Sequence, residues 1–355
     1  MEQYLSYAQR VSKKEYAAEP LILGIESSCD ETCAAVIRGR ELLSNAVLSS
    51  AAEQAKYGGV VPELASRAHT DAVGKAVFEA LAQAGVRGEQ LSAVAVTYGA
   101  GLLGALLVGL SFAKAYAFAL GLPLIAVDHI RGHMAAAYLA DTALEPPFVT
   151  LLASGGHTAV LYTKSYTDFE ILGSTRDDAA GEAFDKVARI LGLPYPGGPS
   201  VEKLAREGKA QIPLPRMFAG NGYDFSYSGL KTAVLNYCHN KEQRGERYSR
   251  ADVAASFQSA ACGVLAERAV AAAKAKGCDT VAAGGGVIAN GYLRELLAKE
   301  CAREGLRLVL PEKKFCTDNA AMIAAEGLVQ YRAGNFAPLT LNACAHIPLG
   351  KKGKQ

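Results

Sequence analysis

The chain has 355 residues, half of them hydrophobic, and its 37 basic side chains against 35 acidic ones leave a formal charge of only +2. That length accommodates two domains with a large buried core, and the near-balance of charge excludes a globally basic nucleic-acid binder. The 8 cysteines (Cys29, Cys33, Cys238, Cys262, Cys278, Cys301, Cys316 and Cys344) form no Cys-x-x-Cys pair and sit in mostly apolar surroundings, which points to reduced thiols.

Residues 1–20 carry Arg10, Lys13, Lys14, Glu15 and Glu19 but no continuous apolar stretch, unlike a secretory signal; a cytoplasmic location is expected. Residues 21–37 read as a strand, a small polar turn and a second strand. Next comes Ala93-Val94-Ala95-Val96, running into Gly99-Ala100-Gly101 and a helix through Lys114. The apolar run 99–113 is too short for a membrane span of about 20 residues and predicts a buried helix. Leu124-Ile125-Ala126-Val127 is a strand that enters a helix at Asp128-His129-Ile130-Arg131-Gly132-His133.

After the paired Pro146 and Pro147 the plan repeats. Residues 148–153 form a strand, Ser154-Gly155-Gly156-His157-Thr158 a turn, and 159–162 the return. Thr280-Val281-Ala282-Ala283 then runs into Gly284-Gly285-Gly286 and a helix over 292–301. Two copies of one plan predict a duplicated α/β protein with ligands in a cleft between the halves. The expected division is an N-terminal extension over 1–20, a first domain over 21–145 and a second over 146–318. The second carries an insertion at about 194–250, and a C-terminal helix over 319–345 packs back on the first domain.

Four places in the chain have chemical potential. His129 and His133 stand four apart, so on a helix both imidazoles leave one face and can grip one ion; the same spacing also suits two polar positions at a helix start capped by Asp128. A zinc protease would need a glutamate where Ile130 stands, so a metalloprotease is disfavoured. Glycine turns at 154–158, 196–199 and 284–290 can bring backbone N–H groups close to phosphate oxygens, although a tight hairpin explains the first equally well. Asn290 can meet a ligand or cap the following helix.

Asp178, Glu182 and Asp185 would share one helical face, with Asp185 free to accept bonds from a sugar hydroxyl. In Cys316-Thr317-Asp318-Asn319, Thr317 or Asp318 occupies a natural capping position, yet a carboxylate there can also reach across from the second half to complete a metal site. Two imidazoles and a carboxylate suit Fe(II) or zinc, acting as Lewis acid and template.

Taken together, Gly24 to Thr32, the His129/His133 pair, the turn at 154–158, residues 177–186, 196–199 and 284–290, and the 316–319 segment resemble one family: the TsaD family of tRNA N6-adenosine threonylcarbamoyltransferases, in its bacterial branch. The resemblance implies an actin-like, sugar-kinase-like and chaperone-like fold, an α/β protein of two duplicated RNase H-like domains around a central cleft. It implies metal ligands His129, His133 and Asp318, holding one Fe2+ per subunit, with zinc as the alternative. Adenylate contacts carry over onto Leu152, Ala153, Ser154, Gly155, Gly156, Asp185, Gly198 and Asn290, with Ser28, Asp30 and Glu182 as further residues of the cleft.

The implied reaction moves threonylcarbamoyl from threonylcarbamoyl-AMP to the adenosine 3′ of the anticodon, without a protein nucleophile. The implied partners are the tRNA anticodon loop, a shorter inactive paralogue docking on the first half and a small P-loop ATPase; no membrane is involved. Residues 201–250, with 9 basic against 5 acidic side chains, and the lysine-rich tail are expected tRNA contacts. The rival readings are an ATP-hydrolysing enzyme or small-molecule kinase of the same fold, and a noncatalytic scaffold like the paralogue.

Overall fold

The structure, a computed structural model, describes residues 17–57, 59–216 and 222–349, together with Tyr7 and Val11. Most of the N-terminal extension, and Lys351, Lys352 and Lys354 of the tail, lie outside the described residues. The chain divides into two compact units, Met1–Leu144 with Asp318–Gln355, and Glu145–Thr317.

The first unit is built on β1 (Leu21–Glu26), β2 (Glu31–Arg38), β3 (Glu41–Ser49), β4 (Ala93–Gly99) and β5 (Leu124–Asp128), in the order β3-β2-β1-β4-β5. The first three form an antiparallel meander, while β4 and β5 run parallel to β1. Both faces of this sheet are covered, which is why β1 and β4 read as continuous apolar runs. Leu23, Ile25, Val94 and Val96 pack with buried residues of α1 (Pro62–Ala84) and α2 (Leu103–Leu120). From the opposite face Ile22, Ala93, Ala95, Ile125 and Val127 pack with Ala136 of α3 (His129–Ala140) and with Met322, Ile323 and Leu328 of α9 (Ala320–Arg332).

The second unit repeats the topology. Its strands are β6 (Phe148–Ala153), β7 (Thr158–Thr163), β8 (Phe169–Ser174), β9 (Thr280–Gly284) and β10 (Arg307–Val309), in the order β10-β9-β6-β7-β8. Again there is an antiparallel meander, and β9 runs parallel to both β6 and β10. Its helices are α4 (Ala180–Ile190), α5 (Gly197–Ala205), α6 (Ser228–Gln243), α7 (Arg250–Lys276) and α8 (Gly291–Arg303). The α7 helix is buried nearly all round and carries much of this core, from Val253 to Ala273.

Several expectations need correction. The helix after β4 continues to Leu120 and buries only its inner face, through Ala105, Leu106, Gly109, Leu110, Ala113 and Ala117, while Leu103 and Leu107 are exposed. By length and composition it is the one candidate membrane span among the described residues, with a third of it buried. The C-terminal helix stops at Arg332, and the described residues beyond it, 333–349, form no further helix or strand. Because α4 starts at Ala180, Asp178 precedes the helix and does not share a helical face with Glu182 and Asp185. The expectation of reduced cysteines, by contrast, agrees with the structure, in which all eight are free thiols.

Candidate metal centre

Asp128 ends β5 and accepts the Ile130 N–H on its Oδ1 at 2.8 Å, so the strand passes directly into a capped α3. His129 opens that helix and His133 follows one turn later, their rings 4.7 Å apart edge to face. Across from them, Asn319 caps α9 by accepting the Met322 N–H at 3.0 Å. The cap is therefore neither Thr317 nor Asp318, and Asp318 keeps its carboxylate for the histidines. Its Oδ1 lies 3.4 Å from His129 Nε2 and 3.3 Å from His133 Nε2.

The expectation of a carboxylate reaching across from the second half does not hold. Asp318 begins the returning stretch of the first unit, because α9 packs on the same sheet face as α3. The three ligand atoms lie within 4.8 Å of one another. Donors placed about 2.1 Å from a shared ion stand roughly 3 to 3.4 Å apart, a spacing that the two Asp318–imidazole distances meet, and two imidazoles with a carboxylate are a donor set suited to a transition metal.

The electrostatics point the same way. Burial by itself pushes the His129 pKa down, but the carboxylates of Asp318 and Glu26 outweigh it and hold the imidazole well above its ordinary value. Against the upward push of burial, His129 and His133 hold Asp318 far below the usual carboxylate range. Burial, Asp30 and Asp318 all push the Cys29 thiol up, away from the thiolate form.

Two residues of this region were not read from the sequence. Glu26 is fully buried at the end of β1 and accepts from His129 Nδ1 at 3.0 Å and from Thr97 Oγ1 at 2.6 Å. His69 of α1 is buried and bonds Thr32 Oγ1 through Nδ1 at 2.7 Å and the Cys29 carbonyl through Nε2 at 2.9 Å, which pins the turn after β1. The signal for Glu26 is a lone acid closing an apolar strand; His69 sits in an ordinary amphipathic helix and gives none. Of the further residues expected here, Ser28 lies with its Oγ 3.2 Å from His129 Nδ1, and the Asp30 carbonyl accepts from Ser50.

The residues expected to meet an adenylate lie in the second unit, around α4. Leu152 and Ala153 end β6, and Ser154, Gly155 and Gly156 form the turn to β7, where the Ser154 carbonyl accepts the Gly181 N–H at 3.1 Å. Asp185 takes the N–H of Gly197 at 2.8 Å and that of Gly198, tying its carboxylate to the start of α5. Glu182 pairs with Lys186 at 2.8 Å, and Lys186 also reaches Asp178.

Asn290 is buried and caps α8; its Oδ1 takes the Leu293 N–H at 3.0 Å and its Nδ2 donates to Gln258 at 2.9 Å. The glycine run before it is partly a demand of the fold. Gly285 has φ 99°, and a β-carbon there would lie 2.4 Å from the Ala153 carbonyl oxygen. At Gly155, Gly156, Gly198 and Gly286 a β-carbon would meet nothing within 4 Å, so that side of each backbone faces free space.

Two units of one five-strand topology define an actin-like α/β protein of the sugar-kinase type, and the first of them bears a candidate metal centre. Comparison with known proteins gives the family. The TsaD profile, described as tRNA N6-adenosine threonylcarbamoyltransferase, matches residues 41–325. A protein of that name from Clostridium botulinum (strain 657 / Type Ba4) is 51% identical over 334 residues, covering 93% of this chain and 98% of its own. Another, from Moorella thermoacetica, is 52% identical over 339 residues, covering 95% and 99%.

Among solved structures, T. kodakarensis HypF superposes with a TM-score of 0.61 at 18% identity over 91% of this chain and 49% of that one, a likeness of fold alone. The chain belongs to the TsaD family, and it is an enzyme of the acyltransferase class.

Proposed function

We propose that the protein transfers the threonylcarbamoyl group of threonylcarbamoyl-AMP to the N6 amine of the adenosine 3′ of the anticodon, in tRNAs reading codons that begin with A. The observation that carries this reading is identity at 51% of positions, over nearly the whole length of both chains, to a tRNA N6-adenosine threonylcarbamoyltransferase.

The step is an acyl transfer from a mixed anhydride. AMP is already a good leaving group, so the protein has to hold and orient the two reactants and need not supply a nucleophile. The space where side chains would stand at Gly155 and Gly156 is left for a phosphate, and that at Gly198, at the start of α5, and at Gly286 for a nucleoside beside α4. Asp185 and Asn290 act there chiefly by fixing α5 and α8, since their polar atoms are bonded to the backbone and to Gln258.

His129, His133 and Asp318 hold one ion per subunit, Fe2+ or alternatively zinc. Such an ion supplies electrophilic stabilisation of charge that develops on substrate oxygens. The anticodon loop presents its base at little unstacking cost, and the basic surplus of residues 201–250 offers phosphate contacts. A cytoplasmic location goes with that substrate.

A shorter inactive paralogue and a small P-loop ATPase complete the proposed machinery. Support for a docking partner on the first unit is the exposure of large apolar side chains on the packed helices α1 and α2, Leu64 and Phe78 on one, Leu103 and Leu107 on the other. A kinase or ATPase reading is weaker, because phosphoryl-transfer sites hold Mg2+ through carboxylates and water, not through two imidazoles. The deciding experiment is transfer of labelled threonylcarbamoyl to tRNA, with and without the partner proteins. Label appearing in tRNA supports the reading; ATP hydrolysis without any tRNA product overturns it.

A further inference from the structure

We infer that Glu26 is a positioning residue for the metal centre: its carboxylate takes the Nδ1 proton of His129, so that Nε2 is presented as the metal donor. The inference rests on the metal reading of His129, His133 and Asp318 and extends it to a residue outside the ligand set.

Three donors converge on Glu26. Oε2 accepts from His129 Nδ1 at 3.0 Å and from Thr97 Oγ1 at 2.6 Å, and Oε1 accepts the Ser28 backbone N–H. The side chain is wholly excluded from solvent, at the end of β1. A buried carboxylate is retained only where its oxygens are satisfied, and here every partner is a donor, an arrangement that an amide or an apolar side chain cannot reproduce. Held this way, the His129 ring has one nitrogen committed to Glu26 and the other facing Asp318. A carboxylate behind a ligating imidazole fixes its tautomer and ring orientation and raises its donor strength.

His133 provides an internal contrast. Its Nδ1 is buried and has no hydrogen-bond partner, while its Nε2 faces the same Asp318 oxygen. The two imidazoles thus enter the centre unequally, and Glu26 makes the difference. The turn that follows Glu26 is held independently, because His69 takes the Cys29 carbonyl and the Leu102 N–H takes the Ser28 carbonyl at 2.8 Å. A change at Glu26 therefore leaves the turn its other anchors.

The test uses Glu26→Gln. An amide placed here sets a donor against either the Ser28 N–H or the Thr97 and His129 pair, so one orientation inverts the His129 tautomer. With zinc alone as probe, chelator competition on the full chain is expected to show affinity 10- to 100-fold below that of the unchanged protein, the range found for such outer partners. Melting of the metal-free variant reports whether it folds. In the zinc-loaded unchanged protein, the His129 ring N–H is expected downfield of the His133 ring N–H in histidine-labelled spectra, which decides the matter even if Glu26→Gln does not fold. Affinity within twofold of the unchanged protein in a folded variant, or a His129 proton no further downfield than that of His133, overturns the inference and leaves the metal centre standing. An unchanged protein that binds no zinc, iron or cobalt removes both.

Discussion

Gly24, in the middle of β1, lies so close beneath the first turn of α9 that a β-carbon there would come within 2.5 Å of the Ala320 carbonyl oxygen and 2.6 Å of the Ala324 backbone nitrogen. Both obstacles are backbone, so neither can rotate aside. The helix start that Gly24 admits is also the one that delivers Asp318, two residues earlier, to His129 and His133. The missing side chain is thus part of the geometry of the metal centre.

Gly24→Ala should accordingly cost about 1–3 kcal/mol, the usual range for an overpacked core, and should weaken metal binding as well, because α9 can yield only by carrying Asp318 away from the imidazoles. Urea unfolding and zinc competition measured on the same preparation check both halves of the statement. A destabilised variant with unaltered zinc affinity would show that α9 tilts without moving its N-terminus.

Replacing a ligand acts differently. His129→Ala or His133→Ala should abolish transfer to tRNA and lower metal affinity by more than about 100-fold, beyond the loss of an outer partner, with the far-ultraviolet circular dichroism unchanged because apolar residues such as Ala136 also pack α3 on the sheet. Full transfer activity in the double variant would refute the metal role.

In the second unit, Gly285→Ala tests the balance between fold and ligand in the glycine run. Its positive φ disfavours any side chain, and the added carbon would strike the Ala153 carbonyl; strain of this kind costs roughly 1–3 kcal/mol. Gly286→Ala meets no atom within 4 Å and should leave stability nearly unchanged. A calorimetric melt of the two variants should separate them by several degrees; equal melting temperatures would remove the structural explanation for Gly285.

The histidine pair was legible in the sequence because a strand, a capping aspartate and an i, i+4 spacing are all local signals, and the structure keeps each of them at Asp128, His129 and His133. The return of the last helix to the first unit was expected, but not that the crossing falls just before Asp318, because where the chain leaves one unit for the other is set by long-range packing and has no local mark. The α7 helix escaped for a related reason. Buried on nearly every side, it has no polar stripe and hence no period to detect. Glu26 and Asn290 mark the two ways in which a polar residue misleads. Glu26 reads as one letter of a longer motif and is bonded to His129, whereas Asn290 reads as either a ligand contact or a cap and takes the capping bond.

The last prediction concerns pH. Glu326 of α9 is buried, and desolvation raises its pKa to about 7 from 4.5, although Arg131 at 3.6 Å and Gln330 at 2.6 Å pull it the other way. Below pH 4.5 the residue is protonated in both folded and unfolded chains and costs nothing. Between there and pH 7 the folded chain keeps a proton that the unfolded chain has released, so stability falls as pH rises. Above pH 7 both are ionised and the loss is complete, at most about 3 kcal/mol for such a shift. Glu326→Gln keeps an oxygen for Gln330 and has no proton to lose. Its stability relative to the unchanged protein should therefore climb across this window and level off above it. Urea midpoints taken at intervals from pH 4.5 to 8 measure the difference, and a gap that does not vary with pH would mean that Arg131 keeps Glu326 ionised throughout.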